Sequence, residues 1–277
     1  MQSYGESARI ILIALILGGA GAVFKILGGL LYGSRAVFID GATCIGNIVA
    51  GILLYRSLRA ASRPPDEDHP FGHTRLVYHG VLLVLVTYSF IAGLSTAVLY
   101  YSLGQAYSVE EGAPLFALIG TLFYGASILV SRRQGYAGGV FSAFTFTEVI
   151  EGVVTITASY TAVYYGRVYD IAGGLVITMY LVYELWSESQ RLGVLMSDTI
   201  DPAILRRIRG LFEERGLRVK SIRLRTVVPG KYHGDMVVEA VDIPYEVADL
   251  LVDEASYIAR EEYNVDLTVH IDVKGRS

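Results

Sequence analysis

Six long apolar runs, each bounded by a short polar stretch, fill the first two thirds of the chain, at about 8–32, 36–58, 76–103, 112–131, 139–166 and 168–188. A bilayer core needs roughly 20 apolar residues per helix, and every run reaches that length. Glycines recur inside the runs (Gly18, Gly19, Gly21, Gly28, Gly29, Gly46, Gly51, Gly173, Gly174), which suits close helix packing in lipid. After about Trp186 the pattern changes, and the chain becomes dense in Arg, Glu and Asp. Asp201-Pro202 reads as an N-cap and first position opening a helix to about Arg215, which Gly216 ends. Residues 218–227 alternate apolar and basic, the mark of a strand with one face buried. Pro229-Gly230 turns the chain, 234–242 reads as a second strand, Ile243-Pro244 opens a helix to about Tyr263, and 266–273 reads as a third strand. The expectation is a membrane all-α domain of six transmembrane helices over 1–192 and a small α+β domain, α-β-β-α-β, over 200–277. At that size the second domain has a thin core and calls for a partner.

Composition strengthens the membrane reading. The chain is 53% hydrophobic, with a mean hydropathy of +0.46. A net charge of −4 gives no support to nucleic-acid binding. The single cysteine, Cys44, excludes an intrachain disulfide and any Cys-rich zinc site. The stretch before the first run is polar and the run itself is too long for a signal h-region, so no cleavable signal peptide is expected. Arg56, Arg59, Arg63 and Arg75 lie between runs two and three, and Arg132 and Arg133 between four and five. The alternate connections hold only Arg35 and Arg167. Positive loops face the cytoplasm, so both termini are expected there, in the cell membrane, with the Glu110-Glu111 loop outside.

The densest chemistry is Asp66-Glu67-Asp68-His69-Pro70-Phe71-Gly72-His73, between runs two and three. Two imidazoles and up to three carboxylates suit a borderline divalent ion such as zinc. A solvated acidic loop with two polar histidines is the plainer reading of the same residues. This run, Gly33-Ser34-Arg35-Ala36-Val37-Phe38-Ile39-Asp40 in run two, Pro64-Pro65-Asp66, Lys25 and Tyr169-Asp170 together resemble the cation diffusion facilitator (cation efflux) family over essentially the whole chain. The resemblance implies a homodimeric, proton-coupled exporter of zinc, manganese, iron or a related ion. It also implies a ferredoxin- or metallochaperone-like tail, and a loop metal site of Asp66, His69 and His73 with a regulatory or structural role.

The family's transport site takes two ligands from run two and two from run five, each pair four residues apart and so on one helix face. The ungapped match places Thr43 and Asn47 in run two, and Thr147 and Glu151 in run five. That set holds one carboxylate, three neutral oxygens and no histidine. Such oxygens suit manganese or another hard ion better than zinc. A second register pairs Cys44 with Asn47 and Glu148 with Glu151, three apart, adding a thiolate and a carboxylate. Carboxylates buried in a span are costly and mark an ion or proton pathway, since the same oxygen holds either a metal or a proton. Lys25 is expected to pair with a carboxylate as a structural group. Asp40 is expected either to line the outer mouth of the pathway or to pack helices, and Asp170 to cap a helix or hold an interface. In the tail, His270 and Asp272, two apart on a strand and so on one face, match with Asp249 a further family metal position. His233 is an extra histidine. The alternative function is a non-transporting membrane metal sensor or scaffold. No nucleophile–base set, phosphate loop or H-E-x-x-H motif points to an enzyme.

Overall fold

The computed structural model describes residues 4–131, 135–197, 199–228 and 230–272, with side chains outside the description at 4–11, Leu54, Ser131, 135–146 and Leu195. Arg132, Arg133 and Pro229, used above for orientation and a turn, fall outside the described residues. The chain divides into two compact units, Met1–Arg59 with His79–Glu188, and Ala60–Tyr78 with Ser189–Ser277.

The first unit is helical. Its elements are α1 (Tyr4–Leu31), α2 (Arg35–Ala61), α3 (Leu76–Gly104), α4 (Gly112–Ser131), α5 (Gly135–Tyr165) and α6 (Val168–Met196), the ends of α2, α3 and α6 running into the second unit. Among the described residues, α1 to α4 and α6 are long and apolar enough to cross a membrane. A helix satisfies its own backbone, which lipid requires of any spanning segment. The helix α6 runs past the expected end at 188 because its polar continuation, Ser187 to Arg191, has good helix formers and no Gly or Pro before Gly193.

Helix α2 shows how these helices sort their faces. Ile45, Val49 and Ile52 are exposed, whereas Asp40, Thr43 and Cys44 are buried. Polar residues face in and apolar residues face out, the reverse of a water-soluble helix. Helices α1 and α4 pack closely. A Cβ on Gly120 of α4 would sit 2.8 Å from the Gly21 carbonyl and 2.6 Å from the Lys25 side chain, so only glycine fits there. The start of α2 is held from outside itself. Asp170, in the first turn of α6, accepts the backbone N–H groups of Arg35 (2.7 Å) and Ala36 (3.3 Å), the Ser34 hydroxyl (2.5 Å) and the Tyr107 hydroxyl (3.0 Å). Those amides have no partner inside their own helix, and a carboxylate also complements the helix dipole. Asp170 is thus a helix cap, as expected, but for α2 rather than α6.

The second unit contains α7 (Pro202–Glu213), β1 (Leu217–Val228), β2 (Lys231–Ala240), α8 (Tyr245–Tyr263) and β3 (Val265–Asp272), the expected α-β-β-α-β order. Asp201 caps α7 by accepting the Ala203 N–H at 2.8 Å. Strands β1 and β2 are antiparallel, β2 and β3 parallel, in the order β1-β2-β3. β2 starts three residues earlier than expected because the hairpin is tight, with Val228 already opposite Lys231. Both helices cover one sheet face, where Phe212, Leu217, Met236, Val238, Ala255 and Val265 form the core.

Candidate metal centre

Glu148 and Glu151 of α5 both turn into the bundle, 1% and 7% exposed. They share a helix face because a three-residue step nearly completes a turn. The Thr43 hydroxyl donates to Glu151 Oε2 at 3.1 Å. The Cys44 thiol donates to Glu148 Oε2 at 2.8 Å, and the Asn47 amide donates to Glu148 Oε1. The Tyr88 hydroxyl of α3 donates in turn to Asn47 Oδ1, and the Tyr124 hydroxyl of α4 to the Cys44 carbonyl at 3.0 Å. The two registers read from the sequence are therefore interleaved. Thr43 meets Glu151, as in the first, while Cys44 and Asn47 meet Glu148, as in the second. Thr147 lies half-buried one residue before Glu148.

Asp40 does not line a mouth. It is fully buried, and the Lys25 ammonium donates to its Oδ1 at 2.7 Å. Lys25, also without exposure, lies 3.5 Å from Cys44 Sγ and over the Tyr124 ring at 5.3 Å. Buried charges need partners of opposite sign, and this pair supplies them to each other. Asp40, Cys44 and Glu148 each bring a ligand-type atom within 4.8 Å of the others.

The second such group among the described residues is Asp66, His69 and His73. Asp66 Oδ1 accepts the His69 backbone N–H at 2.8 Å and lies 3.1 Å from His69 Nδ1, while Asp66 Oδ2 lies 3.2 Å from His73 Nε2. The turn closes through Gly72, at φ +79°, whose N–H reaches the His69 carbonyl at 2.9 Å. The imidazole centres are 4.2 Å apart, and His73 Nδ1 lies 3.2 Å from the Pro64 carbonyl. Desolvation opposes ionisation of Asp66, but the His69 N–H and the two imidazoles outweigh it and hold the carboxyl below the usual carboxylate range. Phe71, between the two histidines in sequence, packs edge-on against His233 of β2, at 5.5 Å.

The three expected tail ligands are not brought together. His270 and Asp272 lie on the sheet face away from the helices, where Lys220 holds Asp272 at 2.5 Å and keeps it ionised below the usual carboxylate range. Asp249 is exposed on α8, which packs on the opposite face. The α8 face that carries Ala248, Val252, Ala255 and Ala259 is committed to the core, and this sets Asp249 on the far side of the sheet from His270.

Residues 11–191 match the cation efflux transmembrane domain. The chain belongs to the cation efflux family. The manganese efflux system protein MneP of Bacillus subtilis (strain 168) is 26% identical over 93% of this chain and 90% of its own length. MneS of the same organism, also a manganese efflux system protein, is 24% identical over 97% and 95%. A short match, 27% identical over 27% of this chain and 13% of the other protein, is to the mitochondrial proton-coupled zinc antiporter SLC30A9 of Xenopus laevis. Cation efflux proteins are transporters rather than enzymes, and this member is an integral membrane protein of the metal-transporting kind.

Sequence reasoning missed two groups beside the centre of this cation efflux protein. Tyr88 orients Asn47, and Glu184 of α6 accepts the Tyr180 hydroxyl at 2.8 Å. Glu184 falls on the inward face that carries Ile177 and Leu181, 1% and 2% exposed, which spacing alone could have flagged. Tyr88 carried no such signal, because tyrosines are scattered through the chain.

Proposed function

We propose that this chain is a secondary-active divalent metal cation transporter, a proton-coupled efflux protein working as a homodimer. All six helices cross the cell membrane in this reading, with both termini and the Asp66–His73 loop on the cytoplasmic side, as the Arg distribution favours. The six-helix domain spans 1–192, and the tail over 200–277 is the dimerisation domain. The observation that carries the reading is the pair of buried glutamates, Glu148 and Glu151, facing Thr43, Cys44 and Asn47 across the α2–α5 contact. Intramembrane carboxylates are retained where an ion or proton needs them. With the Lys25–Asp40 pair self-neutralised, these two carboxylates remain to balance either one dication or two protons, which offers a direct route to exchange. Before the cation arrives, Thr43, Cys44 and Asn47 hold the carboxylates with hydrogen bonds. The cation takes over those oxygens, and protons replace it on release.

The oxygen-rich donors favour manganese over zinc, and the relatives named for manganese efflux agree. Asp66, His69 and His73 form a separate regulatory or structural site whose imidazoles suit zinc or iron. The sensor or scaffold alternative draws on the neutral Thr43 and Asn47 where stronger ligands would be expected. Flux of Mn, Fe, Co, Zn and Mg into vesicles holding the parent or Glu151→Ala decides between the two. Metal flux that Glu151→Ala abolishes is expected. Full activity in that variant, or a parent that carries no metal, removes the transport reading.

A further inference from the structure

In the transport proposed above, Lys25 serves only to neutralise Asp40. Its ammonium sits 2.7 Å from Asp40 Oδ1 and 3.5 Å from Cys44 Sγ, and the Cys44 thiol in turn reaches Glu148 at 2.8 Å. A carboxylate, a thiol and a second carboxylate this close are the donor set of a thiophilic site for zinc or cadmium. Asp40 keeps a second oxygen, Oδ2, buried and without a hydrogen-bond partner among the described residues, so its donor capacity is not used up. What stands in the way is a cation already present.

We infer that Lys25 is a tethered cation that fences Cys44 and Asp40 off from the transported ion, and so reserves the centre for an oxygen-preferring metal held by the glutamates. This rests on the transport reading above. A zinc–thiolate bond is about 2.3 Å long. A dication bound at Cys44 would therefore meet the ammonium at close range, inside a bundle whose low dielectric magnifies like-charge repulsion. The lysine has little freedom to withdraw. It is wholly buried, its stem lies against Gly120 with no space for a Cβ between them, and its head lies over the Tyr124 ring. Glu151, by contrast, takes its hydrogen bond from the Thr43 hydroxyl at 3.1 Å, while the ammonium's bonds go to Asp40 and Cys44. The fence thus divides the cluster into a closed sulfur side and an open oxygen side.

The test uses the full-length protein and cadmium. Because the chain has one cysteine, an ultraviolet thiolate-to-cadmium charge-transfer band reports on Cys44 alone. The parent is expected to show no band and to carry manganese in preference to zinc. Lys25→Met is expected to show the band, and adding Cys44→Ser to remove it. Since Lys25→Met strands a buried carboxylate, the double change Lys25→Met with Asp40→Asn serves as the folded counterpart, with both charges withdrawn together. In either variant the zinc-to-manganese flux ratio should rise by about tenfold or more as a sulfur donor becomes available. A band in the parent overturns the inference, because the thiol is then reachable despite the lysine. So does a folded double variant with no band, or a band with an unchanged flux ratio. A parent without any metal flux instead sinks the transport reading, and the cadmium titration still decides what Lys25 does to Cys44.

Discussion

Two groups of ligand-type side chains occur among the described residues, and they are held by opposite means. In the bundle, Glu148, Glu151, Thr43 and Cys44 are nearly without exposure and are fixed by helices that already satisfy their own backbones. Each polar atom must then find its partner among the others, and Lys25, Asn47, Tyr88 and Tyr124 are drawn in for that purpose. In the loop, Asp66 and His69 are about half exposed, and only His73 is buried. There the backbone turn through Gly72 does the positioning, and water supplies what the side chains lack. The bundle site is therefore a network in which every member constrains the rest. The loop site is a clasp whose parts can change one at a time.

The contrast can be broken or sharpened by substitution. The largest effect belongs to Glu148→Ala, which removes the group that Cys44 and Asn47 both address. Vesicle flux should fall to background, and flux near the parental level would show that the network is not the ion's path. Tyr88→Phe comes next. It frees Asn47 Oδ1 without touching a carboxylate, so flux should drop several-fold, by about the 0.5–1.5 kcal/mol of one hydrogen bond. An unchanged rate would detach Tyr88 from the centre. His73→Ala should act on the other side of the comparison. Zinc retention by the purified protein should fall by about tenfold or more while manganese flux continues, and equal loss of both would make the loop part of the transport path.

The smallest effect concerns pH. A carboxyl whose native pKa lies below its unfolded value stabilises the turn at pH values above the unfolded pKa. That contribution fades only as the pH drops through the native value. Asp66 should therefore keep the loop ordered down to below the usual carboxylate range. A metal held there competes with protons for its ligand atoms and should leave before the turn opens. Metal content and protease resistance of the loop, followed together from neutral pH downward, should separate. Simultaneous loss would mean that the metal, not Asp66, holds the turn.

Much of this architecture could be read from the chain. The six apolar runs, the α-β-β-α-β order and the Asp201 cap all follow from local rules of length, periodicity and capping. The rotation of α5 did not. The four-residue spacing pointed to Thr147 and Glu151, but residues 147 and 148 differ by only about 100° around a helix, and nothing local says which faces α2. Packing against α4 and α2 settles it in favour of Glu148. The partner of Lys25 was equally hidden, because Asp40 and Cys44 lie 15 and 19 residues away on another helix. The tail triad failed for a related reason. Two-residue alternation correctly paired His270 with Asp272, but only the assembled sheet shows that α8 covers the other face.

The Asp170 carboxylate ties the first turn of α6 to the start of α2 through three donors, Ser34, Arg35 and Ala36, with the Tyr107 hydroxyl as a fourth from the α3–α4 connection. Any motion that separates those two helices at this end must break the three bonds to α2 together and leave the carboxylate with the Tyr107 hydroxyl alone among these donors. The two helices consequently behave as a single lever with its pivot at Asp170. Whatever alternation of access the bundle performs should then swing widest at the opposite ends of α2 and α6, with Asp170→Ala freeing the pivot and blurring the stroke.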